Sequence, residues 1–176
     1  QKFEFIDRLY GAGVRRMEAG AFVSTSAVPQ MADAAEIIGH CANLPGLDVQ
    51  MLVPTSRQAE RALNAGARHI AFVLSASEAH NLSNVRRTPK ESVEDLKLLL
   101  DNLPSDITIR INLATAFDCP FDGTVDPVCV LRLLGQLVAT APAAEIALCD
   151  TTGRVTPDRV AALFARATTE LGQVGK

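Results

Sequence analysis

A lone carboxylate, Glu18, lies near the end of the run VRRMEAG, just before the small, hydroxyl-rich stretch FVSTSAVPQMAD. An acid at the mouth of an apolar strand is costly unless a charged group faces it. It is therefore either half of a structural ion pair or a group kept for chemistry. A second acid, Asp150, ends AAEIALCD and is followed by Thr151-Thr152-Gly153. Its structural alternative is a cap or turn former. Between them, Arg110 and Asn112 lie in ITIRINL, and the stretch from Ser75 to Asn84 supplies Ser75, Ser77, Glu78, His80, Asn81 and Asn84. Arg110 reads as a structural partner for an inward acid such as Glu18, or as a substrate contact. The run Arg86-Arg87-Thr88-Pro89-Lys90 is either a solvated turn or a cluster of cations able to hold phosphates. His80 reads as a loop residue, His40 as a helix-surface residue and His69 as the end of a strand.

These positions need a scaffold that gathers strand ends. LYGAGVRRMEAG (9–20) and LNAGARHIAFV (63–73) both run from a helix end through Ala-Gly into a strand, the glycine allowing a left-handed stop. DVQMLVP (48–54), DITIRINLA (106–114) and AAEIALCD (143–150) read as further strands. Helical patterns fall near 2–11, 33–44, 55–65, 91–102, 127–139 and 156–171, with start signals at Thr55-Ser56 and Thr156-Pro157. Strands that are apolar on both faces and alternate with helices imply an α/β fold with a parallel sheet.

A doubly wound open sheet and a (β/α)8 barrel both fit this alternation. No G-x-G-x-x-G follows a strand, which disfavours the dinucleotide-binding version. In either fold the functional groups sit where strands end and βα loops begin, and that is where the polar positions above fall. A complete barrel takes about 200 residues at minimum. The reading is therefore about five of eight βα units of a TIM barrel, with residues 1–176 as a single partial catalytic domain.

Composition excludes several classes of function. The chain is 48% hydrophobic and 21% charged with a net charge of −3, so no basic footprint for nucleic acid or an anionic membrane is present. No apolar run approaches the roughly 20 residues that span a bilayer, and the expectation is a cytoplasmic protein. Cys41, Cys119, Cys129 and Cys149 show no CxxC spacing and read as reduced residues rather than a zinc site or disulfides. Only Cys119, in the loop-like DCPFDG, is left open.

Taken together, EAGAFVSTSAVPQMAD, SASEAHNLSNVRRTPKES, FDCPFDG and EIALCDTTGRVTP resemble the hydroxymethylglutaryl-CoA lyases over essentially the whole chain. These are metal-dependent (β/α)8 barrels that make or break carbon–carbon bonds next to a carboxylate or thioester. The resemblance implies retro-Claisen cleavage of 3-hydroxy-3-methylglutaryl-CoA, or a related 3-hydroxyacyl-CoA, to acetyl-CoA and acetoacetate. A divalent cation, Mg or Mn, eases loss of the tertiary hydroxyl proton, and a second group protonates the departing enolate. The family's metal-holding Asp, H-x-H pair and Asn, and its Cys in a glycine-rich loop, have no counterparts here, so the expectation is that the ligands lie outside this segment and that the segment alone is inactive.

By the same resemblance, Glu18 and Asp150 are catalytic candidates, Glu18 as partner of an arginine outside these residues and a brace for the metal site. Thr151, Arg110, Asn84, Ser77, Asn112 and Arg86 are substrate-binding candidates: Thr151 suits a substrate carboxylate, and Asn84 lies near the CoA arm. One departure matters. Where many members read FVSPKWVPQM, this chain has Thr25, Ser26 and Ala27. A lysine that could face the CoA phosphates is absent, and Arg86 and Arg87 stand as its replacement. The expected partner is an acyl-CoA, with neither nucleic acid nor membrane, and exposed sheet edges leave a homo-oligomer open. A condensing or aldolase enzyme of the isopropylmalate- or citramalate-synthase type, or a non-catalytic CoA-binding half-barrel, is the alternative.

Overall fold

The computed structural model describes residues 1–172. Helix α1 (Lys2–Gly11) leads into β1 (Arg16–Ala21), and a short 3-10 turn precedes α2 (Ala34–Cys41). There follow β2 (Asp48–Val53), α3 (Ser56–Asn64), β3 (His69–Ser75), α4 (Glu78–Val85), α5 (Pro89–Asp101) and β4 (Thr108–Ala114). A two-residue hairpin, β5 (Asp118–Cys119) with β6 (Gly123–Thr124), then α6 (Pro127–Thr140), β7 (Glu145–Leu148) and α7 (Pro157–Leu171) complete the order. Five strands form one sheet in the order β1-β2-β3-β4-β7, every neighbour parallel. These are the strands the sequence implies.

The local chemistry explains the joints. Gly13 and Gly66 carry φ of +99° and +100°, so both Ala-Gly stops use the left-handed turn that glycine adopts without a Cβ penalty. The Thr55 hydroxyl accepts from the amide of Gln58 and starts α3. Thr156 makes no such side-chain bond at the start of α7, where Pro157 at the first turn supplies the signal instead.

Two elements depart from the sequence reading. Residues 78–85 form a helix, so His80 lies on its first turn and not in a loop. The basic run 86–90 is not one turn, because Thr88 and Glu91 close a capping box and α5 begins at Pro89.

Strand alternation divides the sheet into two faces. Met51, Val53, Ile70, Phe72, Leu74, Ile111 and Leu113 are fully buried under the helices, with Val130, Leu134 and Leu137 of α6 packed among them. Each such side chain contributes about 1.5–3 kcal/mol on leaving water. The opposite face carries Arg16, Glu18, Asp48, Gln50, His69, Arg110, Asn112 and Glu145. That face is concave. Arg16 Nη1 on one edge strand lies 3.3 Å from Glu145 Oε2 on the other, whereas four strand spacings in a flat sheet would set their backbones about 19 Å apart, with both side chains standing off the sheet and not along it. The sheet is therefore rolled, with the polar residues inside the roll and the helices outside, as in five βα units of a barrel.

Candidate functional site

On β4 the side chains of Arg110 and Asn112 share the concave face, and Arg110 is in register with Glu145 of β7. The pair meets directly, Arg110 Nη1 to Glu145 Oε1 at 2.8 Å. This corrects the expectation that Arg110 pairs with Glu18: the neighbouring strand offers a carboxylate at its own level, and the adjacent group captures the guanidinium. Arg110 Nε donates instead to Asn112 Oδ1 at 3.0 Å, and Asn112 Nδ2 donates to Glu18 Oε2 at 3.2 Å. Glu18 and Arg110 are thus joined through Asn112.

Glu18 is open to the hollow, yet its surroundings withdraw enough water to raise its pKa above the ordinary carboxylate value. The Asn112 hydrogen bond and the charge of Arg110 oppose that rise without cancelling it. Cys149, one residue before Asp150, lies close enough to sense both charges. Burial pushes its thiol up, with Arg110 lowering and Glu18 raising it further.

At the carboxyl ends of the strands a second set of residues shapes the rim. Asp150 accepts from the backbone amides of Arg154 and Val155 at 3.2 and 3.1 Å, so its carboxylate organises its own loop. It makes no direct bond to Glu18 or Arg110. Thr151 Oγ1 accepts from the Thr115 amide at 2.8 Å, which leaves its hydroxyl hydrogen free to donate. Thr115 itself has φ of +52°, a conformation rarely adopted by a β-branched residue. Its hydroxyl accepts from the amide of Ser77.

Ser77 is buried and caps α4, accepting from His80 N at 3.1 Å and donating to Asp122 Oδ2 at 2.7 Å. Cys119, buried on β5, points its thiol at Ser77 Oγ at 3.0 Å. His80 shares a 2.7 Å hydrogen bond with Ser75, and burial lowers its pKa, favouring the neutral ring. Asn84 and Arg86 are exposed at the end of α4, Arg86 in the left-handed conformation with φ of +57°. Arg87 is tied to Asp95 at 2.7 Å.

The structure therefore gathers Glu18, Asn112 and Arg110 into one network, sets Asp150, Thr151 and Ser77 in the framework of the rim, and leaves Asn84 and Arg86 at its outer edge. Sequence reasoning missed Glu145, Cys149 and Asp122. Glu145 had a readable signal, a lone acid in the strand EIAL, the same feature that singled out Glu18. Among the described residues no group of three or more His, Cys, Asp or Glu side chains could hold a metal ion, so these residues do not by themselves fit a divalent cation. A groove of about 700 Å³ lies between α5 and α6, lined by Lys90, Lys97, Cys129 and Arg132. Of the polar positions singled out in the sequence, Glu78 and Lys90 line it; Glu18, Asp150, Thr151, Arg110, Asn84, Ser77, Asn112 and Arg86 do not.

Comparison with known proteins supplies the context for this geometry. The family described as HMGL-like matches residues 1–174. A protein of Chloroflexus aurantiacus named (R)-citramalyl-CoA lyase is 39% identical over 175 residues, covering 92% of this chain and 54% of that protein. Hydroxymethylglutaryl-CoA lyase of Pseudomonas mevalonii is 36% identical, covering 90% of this chain and 53% of its own length. A solved HMG-CoA lyase from Acinetobacter baumannii, in complex with coenzyme A and 3-methylmalate, superposes with a TM-score of 0.87 at 30% identity, covering 96% of this chain and 55% of that one. The chain spans about half the length of the relatives it matches.

Proposed function

The chain belongs to the HMGL-like family of carbon–carbon lyases, and we propose that the protein carrying it cleaves 3-hydroxy-3-methylglutaryl-CoA, or a related 3-hydroxyacyl-CoA, by a retro-Claisen reaction. The observation that carries this reading is the likeness, over nine-tenths of the chain, to two proteins both named as lyases of a CoA thioester. The polar network on the concave face supports it.

The reaction removes the proton of the C3 hydroxyl, turns that carbon into a carbonyl and breaks the C2–C3 bond. The electron pair left on C2 is held as a thioester enolate until a proton returns to C2, giving acetyl-CoA and, from the methylglutaryl substrate, acetoacetate. Glu18 is the working carboxylate in this proposal. A raised pKa makes it a better proton acceptor than an ordinary glutamate, and the Asn112 bond fixes one of its oxygens while the other faces the hollow. Thr151, with a free hydroxyl hydrogen, donates to the substrate carboxylate, and Asp150 holds the loop that presents it. Arg110 and Asn112 line the floor. Ser77 and the α4 end, with Asn84 and Arg86, form the side toward the CoA arm, where a guanidinium suits phosphate. A divalent cation, Mg2+ or Mn2+, belongs to the proposal as a Lewis acid for the hydroxyl oxygen, held by residues outside these 176.

A second substrate is favoured by the 39% identical relative, whose name specifies (R)-citramalyl-CoA. The test is product analysis on the full-length protein with each thioester and added Mg2+ or Mn2+. Release of acetyl-CoA with one equivalent of oxo acid supports the lyase. Condensation of acetyl-CoA with a 2-oxo acid identifies a synthase, and CoA binding without turnover of any thioester identifies a non-catalytic module.

A further inference from the structure

Glu145 is assigned no part in the reading above, yet it sits where the polar network closes on itself. Its Oε1 holds Arg110 at 2.8 Å, and its Oε2 accepts from Arg16 Nη1 at 3.3 Å. Arg16 stands two residues before Glu18 on β1. From Glu18 the path runs through Asn112, Arg110 and Glu145 to Arg16, and the backbone of β1 brings it back to Glu18. It is a closed ring linking three strands, and its two edge-strand members would not meet if the sheet were flat.

The ring constrains one choice in particular. A carboxamide presents an oxygen on one side and an NH2 group on the other. With Arg110 Nε donating to Asn112 Oδ1, the NH2 group must turn away from the guanidinium, and Glu18 lies on that side. The orientation depends on Arg110 being held from behind, because a long flexible guanidinium released from its partner can move to the Glu18 carboxylate itself.

We propose that Glu145 is a positioning residue: by holding Arg110 it keeps the Asn112 amide aimed at Glu18 and keeps Arg110 off that carboxylate. This rests on Glu18 being the working group of the proposed reaction. The charged and titratable neighbours of Glu18 are Arg110, across Asn112, and the Cys149 thiol. Glu145 reaches Glu18 through Arg110; Arg16 is held more closely by Asp48, Nε to Oδ2 at 2.8 Å, than by Glu145, and stays anchored there. The pair of Glu145 with Arg16 is largely exposed, with side-chain accessibilities of 46% for Glu145 and 57% for Arg16, and Arg110 is 27% accessible; pairs this open to solvent add little to stability. A merely structural role would leave a faint trace, whereas a positioning role reaches the chemistry.

The test is Glu145→Gln in the full-length protein, followed by carbon-13 NMR titration of the Glu18 carboxyl and by steady-state kinetics. Arg110, no longer neutralised, approaches Glu18 and lowers its pKa. The value of kcat falls about ten- to hundredfold with KM little changed, the melting temperature barely moves, and Glu145→Asp recovers part of the rate. A Glu18 titration identical to that of the unaltered protein overturns the proposal. A shifted Glu18 titration in a protein inactive on every thioester keeps the positioning role and contradicts the lyase reading instead. A shifted titration with unchanged kcat overturns Glu145 as a positioning residue for the reaction.

Discussion

Folding shifts Glu18 toward its acid form relative to the unfolded chain, because burial raises its pKa above the ordinary value. The stabilising contribution of such a group is complete below the ordinary carboxylate pKa and is lost as pH rises through the raised one. Replacing Glu18 by Gln removes that loss. Glu18→Gln is expected to gain stability relative to the parent protein at pH 7, and the gain should shrink as pH falls below the carboxylate range. Urea unfolding at pH 7 and at pH 3 checks it, and a difference independent of pH would contradict the cause given for the shift. A functional carboxylate kept at some cost to the fold is the usual trade between stability and activity. At this scale the sequence pointed to Glu18 by its type and place, but not to its partners. Arg110 lies 92 residues from Glu18 and 35 from Glu145, and neither separation says which acid it meets. Strand register decides that, and register is a property of the paired sheet.

At the level of elements, the capping box that starts α5 shows how a local signal can be read or missed. The sequence T-P-K-E carries it in full: the Thr88 hydroxyl accepts from Glu91 N, and the Glu91 carboxylate accepts from Thr88 N at 2.7 Å. The Thr88 amide, and the Thr88 hydroxyl donating to the same carboxylate oxygen at 2.9 Å, lower the Glu91 pKa, the backbone bond foremost. Thr88→Ala should cost about 1 kcal/mol, the usual loss of a threonine cap, read from the urea midpoint at pH 7. An unchanged midpoint would mean that the helix start is set by Pro89 and tertiary packing. Helix α4 was not legible for a different reason. EAHNLSNV has no apolar stripe, and its one buried residue is Asn81, whose amide links the Ser75 backbone, Arg87 O and Ser92. A helix held by a buried amide leaves no hydrophobic period to find. The hairpin β5/β6 has two residues in each strand, too few for any alternation to show.

For the molecule as a whole, the alternation of aliphatic-rich strands with helices was enough to give the parallel sheet, although the strands are apolar on the face toward the helices and not on both faces, the concave one carrying Arg16, Glu18, Asp48, Arg110, Asn112 and Glu145. Its curvature was readable from the chain length and the family resemblance, which gave a partial barrel, but not from the strand pattern, because it comes from twist summed over the sheet; it is what brings Glu145 within reach of Arg16 across the two edges. The site depends on this roll. Asn112 reaches Glu18 over 94 residues of chain only because β4 and β1 face one another across a hollow. No helix among the described residues is long and apolar enough to cross a membrane, and the helices pack instead on the outside of the roll. In the proposed reaction the hollow is the place of carbon–carbon cleavage and Glu18 its working carboxylate. The most direct measurement is the rate of acetyl-CoA release by full-length Glu18→Gln, compared with the parent protein at saturating thioester and metal. The expected result is a fall in kcat of about a hundredfold or more in a protein that remains folded and still binds CoA. A rate within about twofold of the parent would contradict it.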